Sequence, residues 1–340
     1  MKKLLVLFLI FLLGCGKNED KYVLSNDLSK NDLTIKTIDE ILNRKSVKDN
    51  FETNNCYFSY INKILRLKNS NYLFLVKDKI VLLDSNFRIL KQIKAGGKGP
   101  GEYTYLQDIK TYGDSLYAFD LSLNKLLIYS LDGRWIRDML FSQPVLNAAA
   151  NDNKIVAATV PYGENNNSVI EYDKRGNIIR RYGTIDIKKE NITKQPYAAN
   201  IYFTPGEQIL LVFKINGSMY LYDKNGKAIQ RFSIQNGAEY KKDLEFENKL
   251  EKNSKYGKSY PHRITNVEFD RQGNIFVNYG GLFSNKVRTL LVIFNSKGEY
   301  VKRILDDGNI MQTPFSFAIG LNDTLLLHTN SFKLFRATYK

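Results

Sequence analysis

The sequence predicts an all-β fold, a six-bladed β-propeller of four-stranded antiparallel blades. The first observation is a tight polar turn between two apolar strands, which recurs at 84–87, 131–134, 173–176, 223–226 and 295–298. The second is a strand of similar form ahead of each turn, beginning at Tyr72, Ser115, Lys154, Gln208 and Asn274, with a sixth at Thr324 that has no turn after it. The third is the abundance of Tyr and Phe, with 22 and 20 copies, because aromatic residues favour strands.

The spacing of these second strands gives the number of blades. Their starts lie about fifty residues apart, a period typical of propeller blades. Six starts predict six blades in one repeat domain, although 340 residues would ordinarily suggest two domains. Hydrophobic residues make up 43% of the chain and charged residues 25%, so an ordinary globular core is available.

Residues 106–140 illustrate one predicted blade. Strands are expected at 106–110, 115–119, 125–129 and 135–140. An Asp or Asn at the start of the connecting turns supplies a hydrogen-bond acceptor, and a Gly at the end tolerates a positive φ. Four such strands in an antiparallel meander make one propeller blade.

The last repeat has only three predicted strands, at 315–319, 324–328 and 332–338. An unpaired strand edge promotes aggregation. We therefore predict that a segment within 33–42 supplies the missing outer strand and closes the ring. The alternative is that residues 21–50 form a flexible stalk.

Residues 1–15 have the pattern of a bacterial lipoprotein signal peptide. Two lysines precede an apolar run at 4–13, which is too short to span a bilayer. The run ends in Leu12-Leu13-Gly14-Cys15, which resembles the lipoprotein motif in which the cysteine is acylated and becomes the mature N-terminus. An ordinary secretory signal with an incidental cysteine is the alternative. Acylation of Cys15 would attach the protein to a membrane without spanning it.

The residues after Cys15 form a predicted flexible tether at 16–32, and the propeller is expected at 33–340. Gly16 is not the Asp that retains many lipoproteins in the inner membrane, so we expect an outer-membrane lipoprotein, either periplasmic or surface-exposed. The charged residues at 17–21 are interpreted either as an export signal for surface display or as a solvated part of the tether.

Charge and cysteine content exclude some classes of protein. The formal charge is +15, but the lysines are spread along the chain among acidic residues. No dense basic tract or nucleic-acid motif appears, so we expect no nucleic-acid partner. With Cys15 committed to the lipid, Cys56 has no partner for an intramolecular disulfide and is predicted to be a small buried hydrophobe.

The second repeat carries a family resemblance. The segment 96–103 (GGKGPGEY), followed by Asp120, Asn124 and the Asp132-Gly133 turn, resembles an NHL-type repeat. It is more similar still to six-bladed β-propeller lipoproteins of gut-type bacteria, in which such a segment precedes the second blade. The resemblance covers about residues 33–340, although only the second blade matches sharply, and it mainly implies the fold.

Loop lengths predict which face of the propeller carries function. Connections between strands one and two, and between strands three and four, read as tight turns, and they define the short-turn face. Those between strands two and three, and between blades, read as long, and they define the long-loop face. Binding residues concentrate on long loops over a rigid scaffold. The predicted long loops are 96–105, 161–167, 183–200, 235–263, 280–286 and 306–314. A short helix is predicted at 238–252, within the longest of them.

The candidate ligand contacts are polar and aromatic residues expected on the long-loop face. They are His262, Arg263, His328, Tyr162, Tyr197, Tyr260, Lys98 and Glu102. The loop tyrosines could stack on sugar rings. The two histidines lack the further ligands that a metal site requires, so no metal and no cofactor are predicted. The glycine-rich segment at 96–101 matches neither a P-loop nor a dinucleotide fingerprint. It is interpreted as a crossover between blades, with Glu102 as a backbone acceptor or ion-pair partner.

No catalytic motif of a known hydrolase appears in the sequence. The prediction is therefore a non-enzymatic binding or scaffolding propeller, monomeric and lipid-anchored at the outer membrane. Its ligand, a glycan or an envelope protein partner, is expected on the long-loop face. The alternative is a carbohydrate-active or lyase-type enzyme that uses the central channel, because propeller enzymes assemble sites from scattered residues.

Overall fold

A computed structural model describes residues 33–40, 61–77, 79–94, 96–159, 167–184, 199–214, 217–234, 264–279, 288–306, 314–320, 324–329 and 334–339. In this part of the chain every regular element is a β-strand. Six blades of four strands form a ring, as the sequence predicts.

Each blade is a meander whose first strand lines the central channel, and the blades are numbered in chain order. The N-terminal strand is β1 (Leu33–Glu40). Blade 1 contains β2 (Ile61–Arg66), β3 (Tyr72–Val76), β4 (Lys79–Leu83) and β5 (Ile89–Lys94). Blade 2 contains β6 (Leu106–Tyr112), β7 (Ser115–Asp120), β8 (Lys125–Ser130) and β9 (Trp135–Leu140). Blade 3 contains β10 (Asn147–Ala150), β11 (Ile155–Ala158), β12 (Asn167–Tyr172) and β13 (Ile178–Thr184).

The second half of the ring repeats the pattern. Blade 4 contains β14 (Ala199–Phe203), β15 (Ile209–Phe213), β16 (Ser218–Tyr222) and β17 (Ala228–Ser233). Blade 5 contains β18 (Ile264–Phe269), β19 (Ile275–Tyr279), β20 (Arg288–Phe294) and β21 (Tyr300–Asp306). Blade 6 contains β22 (Pro314–Ile319), β23 (Thr324–Thr329) and β24 (Leu334–Tyr339).

The N-terminal strand lies at the outer position of blade 6, where the sequence predicts a strand within 33–42. β1 pairs antiparallel with β24, with Ile35 opposite Tyr339 and Glu40 opposite Phe335. Its first residues also pair in parallel with β21 of blade 5, with Leu33 opposite Ile304. Blades 5 and 6 therefore form one continuous eight-stranded sheet. That this strand closes the ring stays a prediction.

The turns between strands three and four have a shared construction. Their first residues are Asp84, Ser130, Asp173, Asp223 and Asn295. In each turn the backbone N–H of this residue donates to the carbonyl four positions later, and its side-chain oxygen accepts backbone N–H groups within the turn. The predicted Asp or Asn acceptor is therefore confirmed in four turns, whereas in blade 2 the turn starts one residue before the predicted 131–134 and the acceptor is Ser130.

The last position of these turns has a positive φ, and blade 1 uses an unexpected residue there. Glycines take this position in blades 2 to 5, but blade 1 has Phe87 with φ of 63°. A non-glycine residue in this region is strained. The Phe87 ring stacks on Tyr72 at a centroid distance of 5.0 Å, which offsets part of that strain.

The core consists of six clusters, one between each pair of neighbouring blades. Blades 2 and 3, for example, share a cluster in which Phe141 contacts both Phe119 and Tyr172 edge to face. Blades 1 and 6 share the cluster that contains Phe74 and Leu326. Full burial of such side chains stabilises by about 1.5–3 kcal/mol each. The rigidity of the channel wall follows from these packed interfaces.

Candidate functional site

One polar residue from the first strand of every blade is buried in the channel. These residues, here called the polar ring, are Lys63, Asp108, Asn147, Asn200, Asn266 and Ser316. All of them are at most 6% exposed, on strands whose other buried residues are hydrophobic. Buried polar groups are costly unless they are hydrogen-bonded, so their partners decide what this ring can do.

Backbone irregularities position much of the ring. In blades 1, 2, 5 and 6 the pairing of the first and second strands shifts register immediately before the ring residue, namely before Lys63, Asp108, Asn266 and Ser316. Such β-bulges redirect side chains and are frequent next to functional sites. The same local distortion in four blades therefore turns a polar side chain into the channel four times.

Lys63 crosses the channel from blade 1 to blade 5. Its Nζ lies 2.9 Å from Oε1 of Glu268 and donates a short hydrogen bond to Oδ1 of Asn266. Burial disfavours the ammonium form, but the charges of Glu268 and other neighbours outweigh it and raise the pKa of Lys63 above its ordinary value. For Glu268 burial has the opposite effect, because it disfavours the carboxylate form and raises the pKa of this residue.

A second ion pair lies within blade 2, and its lysine also bonds to blade 3. Lys110 Nζ lies 2.6 Å from Oδ2 of Asp108, and it donates to Oδ1 of Asn147 and to the carbonyl oxygen of Ala148. The ammonium thus has three acceptors. Burial would raise the pKa of Asp108, but Lys110 and Lys63 hold it at about 2. Burial lowers the pKa of Lys110 to about 8, against the attraction of Asp108.

Tyr202 of blade 4 joins the two ion pairs. The centroid of its ring lies 5.6 Å from the Nζ of Lys63 and 5.1 Å from that of Lys110, so one ring faces both ammonium groups. Its hydroxyl accepts a hydrogen bond of 2.9 Å from Nδ2 of Asn200. Oδ1 of Asn200 is buried and has no hydrogen-bond partner within the described ranges. Lys214, also of blade 4, has its pKa lowered by burial.

A cavity of about 90 Å³ lies beside these groups. Lys63, Lys110, Tyr202 and Glu268 line it together with residues at the ends of five first strands. Because those strands run from the long-loop face to the short-turn face, the cavity lies at the short-turn end of the channel. It is thus at the opposite end from the face that loop lengths predict to be functional.

Loop lengths themselves depart from the sequence prediction in three blades. Connections between strands two and three are short in blades 1, 2 and 4, where they span 77–78, 121–124 and 214–217. Each contains a residue with positive φ, respectively Lys77, Asn124 and Gly217, which allows a tight reversal. The prediction that connections between strands two and three are long is therefore wrong for these three blades.

Three of the predicted ligand contacts lie in the described part of the chain. His328 is 1% exposed and sits opposite Ser316 on the paired strands of blade 6, so it does not reach solvent on the long-loop face. Lys98 is exposed in the connection between blades 1 and 2. Glu102 accepts the backbone N–H of Gly99 at 2.8 Å, in agreement with the predicted role as a backbone acceptor.

The other predicted contacts fall outside the described residues and stay predictions. They are His262, Arg263, Tyr162, Tyr197 and Tyr260, and the same applies to Cys15, Cys56 and the expected helix at 238–252. No group of His, Cys, Asp or Glu suited to a metal ion occurs in the described ranges. Nor does any helix in this part of the chain have the length and apolarity to cross a membrane.

The glycine-rich segment 96–101 is a crossover between blades. Lys125 is 3% exposed and its Nζ donates to the carbonyl oxygens of Gly99 and Glu102, while the hydroxyl of Tyr129 donates to the carbonyl of Gly101. These contacts tie the segment to the third strand of blade 2. Backbone groups of Gly99 and Gly101 are thus occupied by protein partners, as a structural crossover requires.

The Asp120/Asn124 pair of the NHL-type pattern organises both connections of blade 2. Oδ2 of Asp120 accepts the backbone N–H groups of Thr104 and Tyr105, which lead in from blade 1. The Asn124 side chain bonds to backbone groups in the connection toward blade 3, including the N–H of Val145 at 3.0 Å. The pair is therefore a structural element of this blade.

Comparison with known proteins agrees with this architecture. Residues 50–260, more than half of the chain, match the model of the DUF5128 family, which is described as a 6-bladed beta-propeller. The chain belongs to this family. No curated protein matches the sequence.

Solved structures similar to this DUF5128 chain are propellers of distant sequence. A candidate exported protein from Bacteroides fragilis is 14% identical with a TM-score of 0.58, and the match covers 93% of this chain and 97% of that one. A catalytically inactive virginiamycin B lyase from Staphylococcus aureus, with quinupristin, is 11% identical with a TM-score of 0.51, covering 82% and 94%. A protein from Bacteroides thetaiotaomicron is 12% identical with a TM-score of 0.51, covering 83% and 70%. At these identities the likeness concerns the fold alone.

Sequence reasoning missed the groups that the channel brings together. Lys63, Lys110, Tyr202 and Glu268 were not among the predicted site residues. Their signal is a polar or charged residue at alternate positions of the apolar first strands, for instance Asp108 and Lys110 in β6. Aligning the six first strands with one another would have exposed this pattern, because inward side chains repeat at every second residue.

Proposed function

We propose that this DUF5128 protein is a binding or scaffolding propeller of the cell envelope, lipid-anchored at the outer membrane through Cys15, with its ligand or protein partner on the long-loop face. The observation that supports binding over catalysis is that charged side chains in the channel are paired with one another. Two ion pairs, Lys63 with Glu268 and Lys110 with Asp108, occupy it and neutralise each other's charges. Among the described residues, the cavity beside these pairs has a volume of about 90 Å³, well below the roughly 300–1,000 Å³ of pockets that enclose small-molecule ligands.

A larger ligand would then have to bind outside the channel, on one of the two faces of the ring. The connections at 185–198, 235–263 and 307–313 are long in sequence, and binding residues concentrate on long loops over a rigid scaffold. The lipobox-like Leu12-Leu13-Gly14-Cys15 and the fold likeness to a candidate exported protein support an envelope location.

The anchor is tested by replacing Cys15→Ser and fractionating cells. We expect the wild-type protein in the outer-membrane fraction and the variant in the soluble fraction. A variant that stays with the membranes contradicts the proposed attachment.

The binding face is tested by photo-crosslinking in living cells. A crosslinking residue is placed at Tyr162, Tyr197 or Tyr260, and at Arg134 on the short-turn face as the matched control. We expect the three loop positions to give the same discrete adduct and Arg134 to give none. Adducts from Arg134 alone would place the partner on the other face.

The alternative function is a carbohydrate-active or lyase-type enzyme that works in the channel. One observation favours it, the pKa of about 8 for the buried Lys110, because perturbed lysines gather at functional sites. Its three acceptors, however, hold the ammonium in place as a structural group would be held. Turnover of a polysaccharide that is lost in Lys110→Met, with retained fold, would favour the enzyme over the binding protein.

A further inference from the structure

The short-turn end of the channel has the construction of a separate small binding site. Its cavity of about 90 Å³ corresponds to roughly three water molecules at liquid density. That space suits one edge of a small ring, whereas a whole oligosaccharide or a peptide would not fit. The site lies at the end of the channel opposite to the long-loop face, so it is independent of the proposed partner surface.

Aromatic side chains from three blades form the walls. Tyr112 and Phe203 meet edge to face at a centroid distance of 6.4 Å, and Tyr202 and Phe269 do so at 6.0 Å. All four line the cavity. Their contacts fix the ring orientations, which makes this a preformed apolar wall of the kind that ligand sites use.

The floor offers a few hydrogen-bonding groups. Oε1 of Glu268 accepts from Lys63, while Oε2 has no hydrogen-bond partner within the described ranges. The Lys63 ammonium has three N–H groups but only two oxygen acceptors there, and besides these it faces the Tyr202 ring at 5.6 Å, so one N–H can still donate to an oxygen. One acceptor and one donor side by side fit a hydroxyl group, which can donate to the first and accept from the second.

Charge excludes strongly ionic ligands. Lys63 is paired with Glu268, and Lys110 is paired with Asp108, which does not itself line the cavity, so each lysine at the lining already has a partner carboxylate. An ion entering the cavity would lose its hydration without gaining an opposite charge. At the rim the hydroxyl of Tyr112 donates to Oε1 of Glu207 at 3.0 Å, and this carboxylate further disfavours anions.

We propose that this cavity binds the edge of a neutral, hydroxyl-bearing ring, of which a pyranose sugar is the natural example. The apolar C–H face of such a ring packs on the aromatic wall formed by Phe203 and Phe269. Its hydroxyl groups bond to Oε2 of Glu268 and to the free N–H of Lys63.

Saturation-transfer NMR on the full chain, in a detergent without a sugar head group, tests the proposal. The probes are the methyl glycosides of glucose, galactose and mannose, with glucuronate and glucosamine as charged comparisons. We expect transfer to at least one neutral pyranose and weaker transfer to both charged sugars. Removing an aromatic wall in Phe269→Leu should weaken that binding roughly three- to tenfold.

Tyr105→Leu is the matched control, because Tyr105 is an aromatic residue that is 56% exposed on the opposite face. Phe203→Leu, on another blade, replaces Phe269→Leu if that variant melts at a lower temperature than the wild type. The proposal is overturned if no neutral pyranose binds at tens of millimolar, if a charged sugar binds more tightly, or if Tyr105→Leu loses binding while both wall variants keep it. Cys15→Ser should leave sugar binding unchanged, so the result of the sugar-binding test does not depend on the result of the membrane-anchor test.

Discussion

The Lys63 ammonium lies 2.9 Å from the Glu268 carboxylate, and the two residues belong to blades that are not neighbours in the ring. Blade 1 packs against blades 2 and 6, while blade 5 packs against blades 4 and 6. The ion pair is therefore a direct tie across the channel. It connects blades 1 and 5 directly, whereas the interblade clusters connect them only through the blades that lie between.

Breaking this tie should destabilise the propeller. Lys63→Met leaves Glu268 without its counter-charge in a buried site, and loss of one partner of such a pair costs about 3–5 kcal/mol. We expect a lower midpoint in urea denaturation and partial recovery in the double variant Lys63→Met/Glu268→Leu. Lys98→Met, at an exposed lysine, should leave the midpoint unchanged. Equal midpoints for wild type and Lys63→Met would contradict a stabilising role.

Lys110 should make stability depend on pH in the alkaline range. Its pKa is about 8 in the folded protein and 10.5 for an ordinary lysine, so between these values the unfolded chain binds the extra proton. The free energy of unfolding must then rise with pH over this window. Above pH 10 the buried tyrosines, whose pKa values burial raises, oppose this trend.

Urea unfolding at several pH values between 8 and 9.5 measures this dependence. Lys214, whose pKa burial also lowers, contributes with the same sign. The slope should therefore decrease in Lys110→Met without vanishing. A wild-type slope that is flat or negative would show that Lys110 keeps its proton in the folded state.

The Asp120 carboxylate should control the connection into blade 2. It is fully buried and accepts three backbone N–H groups, from Thr104, Tyr105 and Leu123. Asp120→Ala leaves these donors without an acceptor, at a cost of about 3 kcal/mol. Hydrogen exchange should accelerate at these three amides.

A matched change at Asp132 provides the control for this experiment. Asp132 lies in a solvent-exposed turn of the same blade, where it accepts from Ser130. Asp132→Ala should leave exchange at Thr104 and Tyr105 as in the wild type. Faster exchange in both variants would indicate a general loosening of the blade.

Deletion of residues 33–40 tests whether the N-terminal strand closes the ring. Without β1, the outer edges of β24 and β21 lose their partner strand. Exposed edges pair with other chains, so we expect a lower melting temperature and oligomers in size-exclusion chromatography. Replacing the same eight residues with a Gly/Ser sequence is the control for chain length. A monomeric deletion variant with wild-type melting would refute closure by β1.

The sequence predicted the blades well because their signals are local. A turn such as 173–177 carries its own acceptor, Asp173, and its own positive-φ glycine, so the local sequence is enough to predict it. In blade 2 the predicted strand bounds agree with the observed ones within two residues. The outer strand of blade 6 was found by a different argument, the absence of a fourth strand after Leu334–Tyr339.

The channel could not be predicted in the same way. Lys63 and Glu268 are more than two hundred residues apart, and their contact depends on the closed ring and on bulges at Lys63 and Asn266. Short connections such as 77–78 were misjudged because Lys77 adopts a positive φ without being a glycine. Neither effect has a signature within a single strand.

The pairing of β1 with β24 also sets an order of events in folding. Leu33–Glu40 is synthesised well before its partner Leu334–Tyr339. Contacts so distant in sequence form slowly, because a large loop must close, at a cost in chain entropy, before the contacts can stabilise the fold. β1 must therefore wait for β24, and we expect blade 6 to mature late in folding.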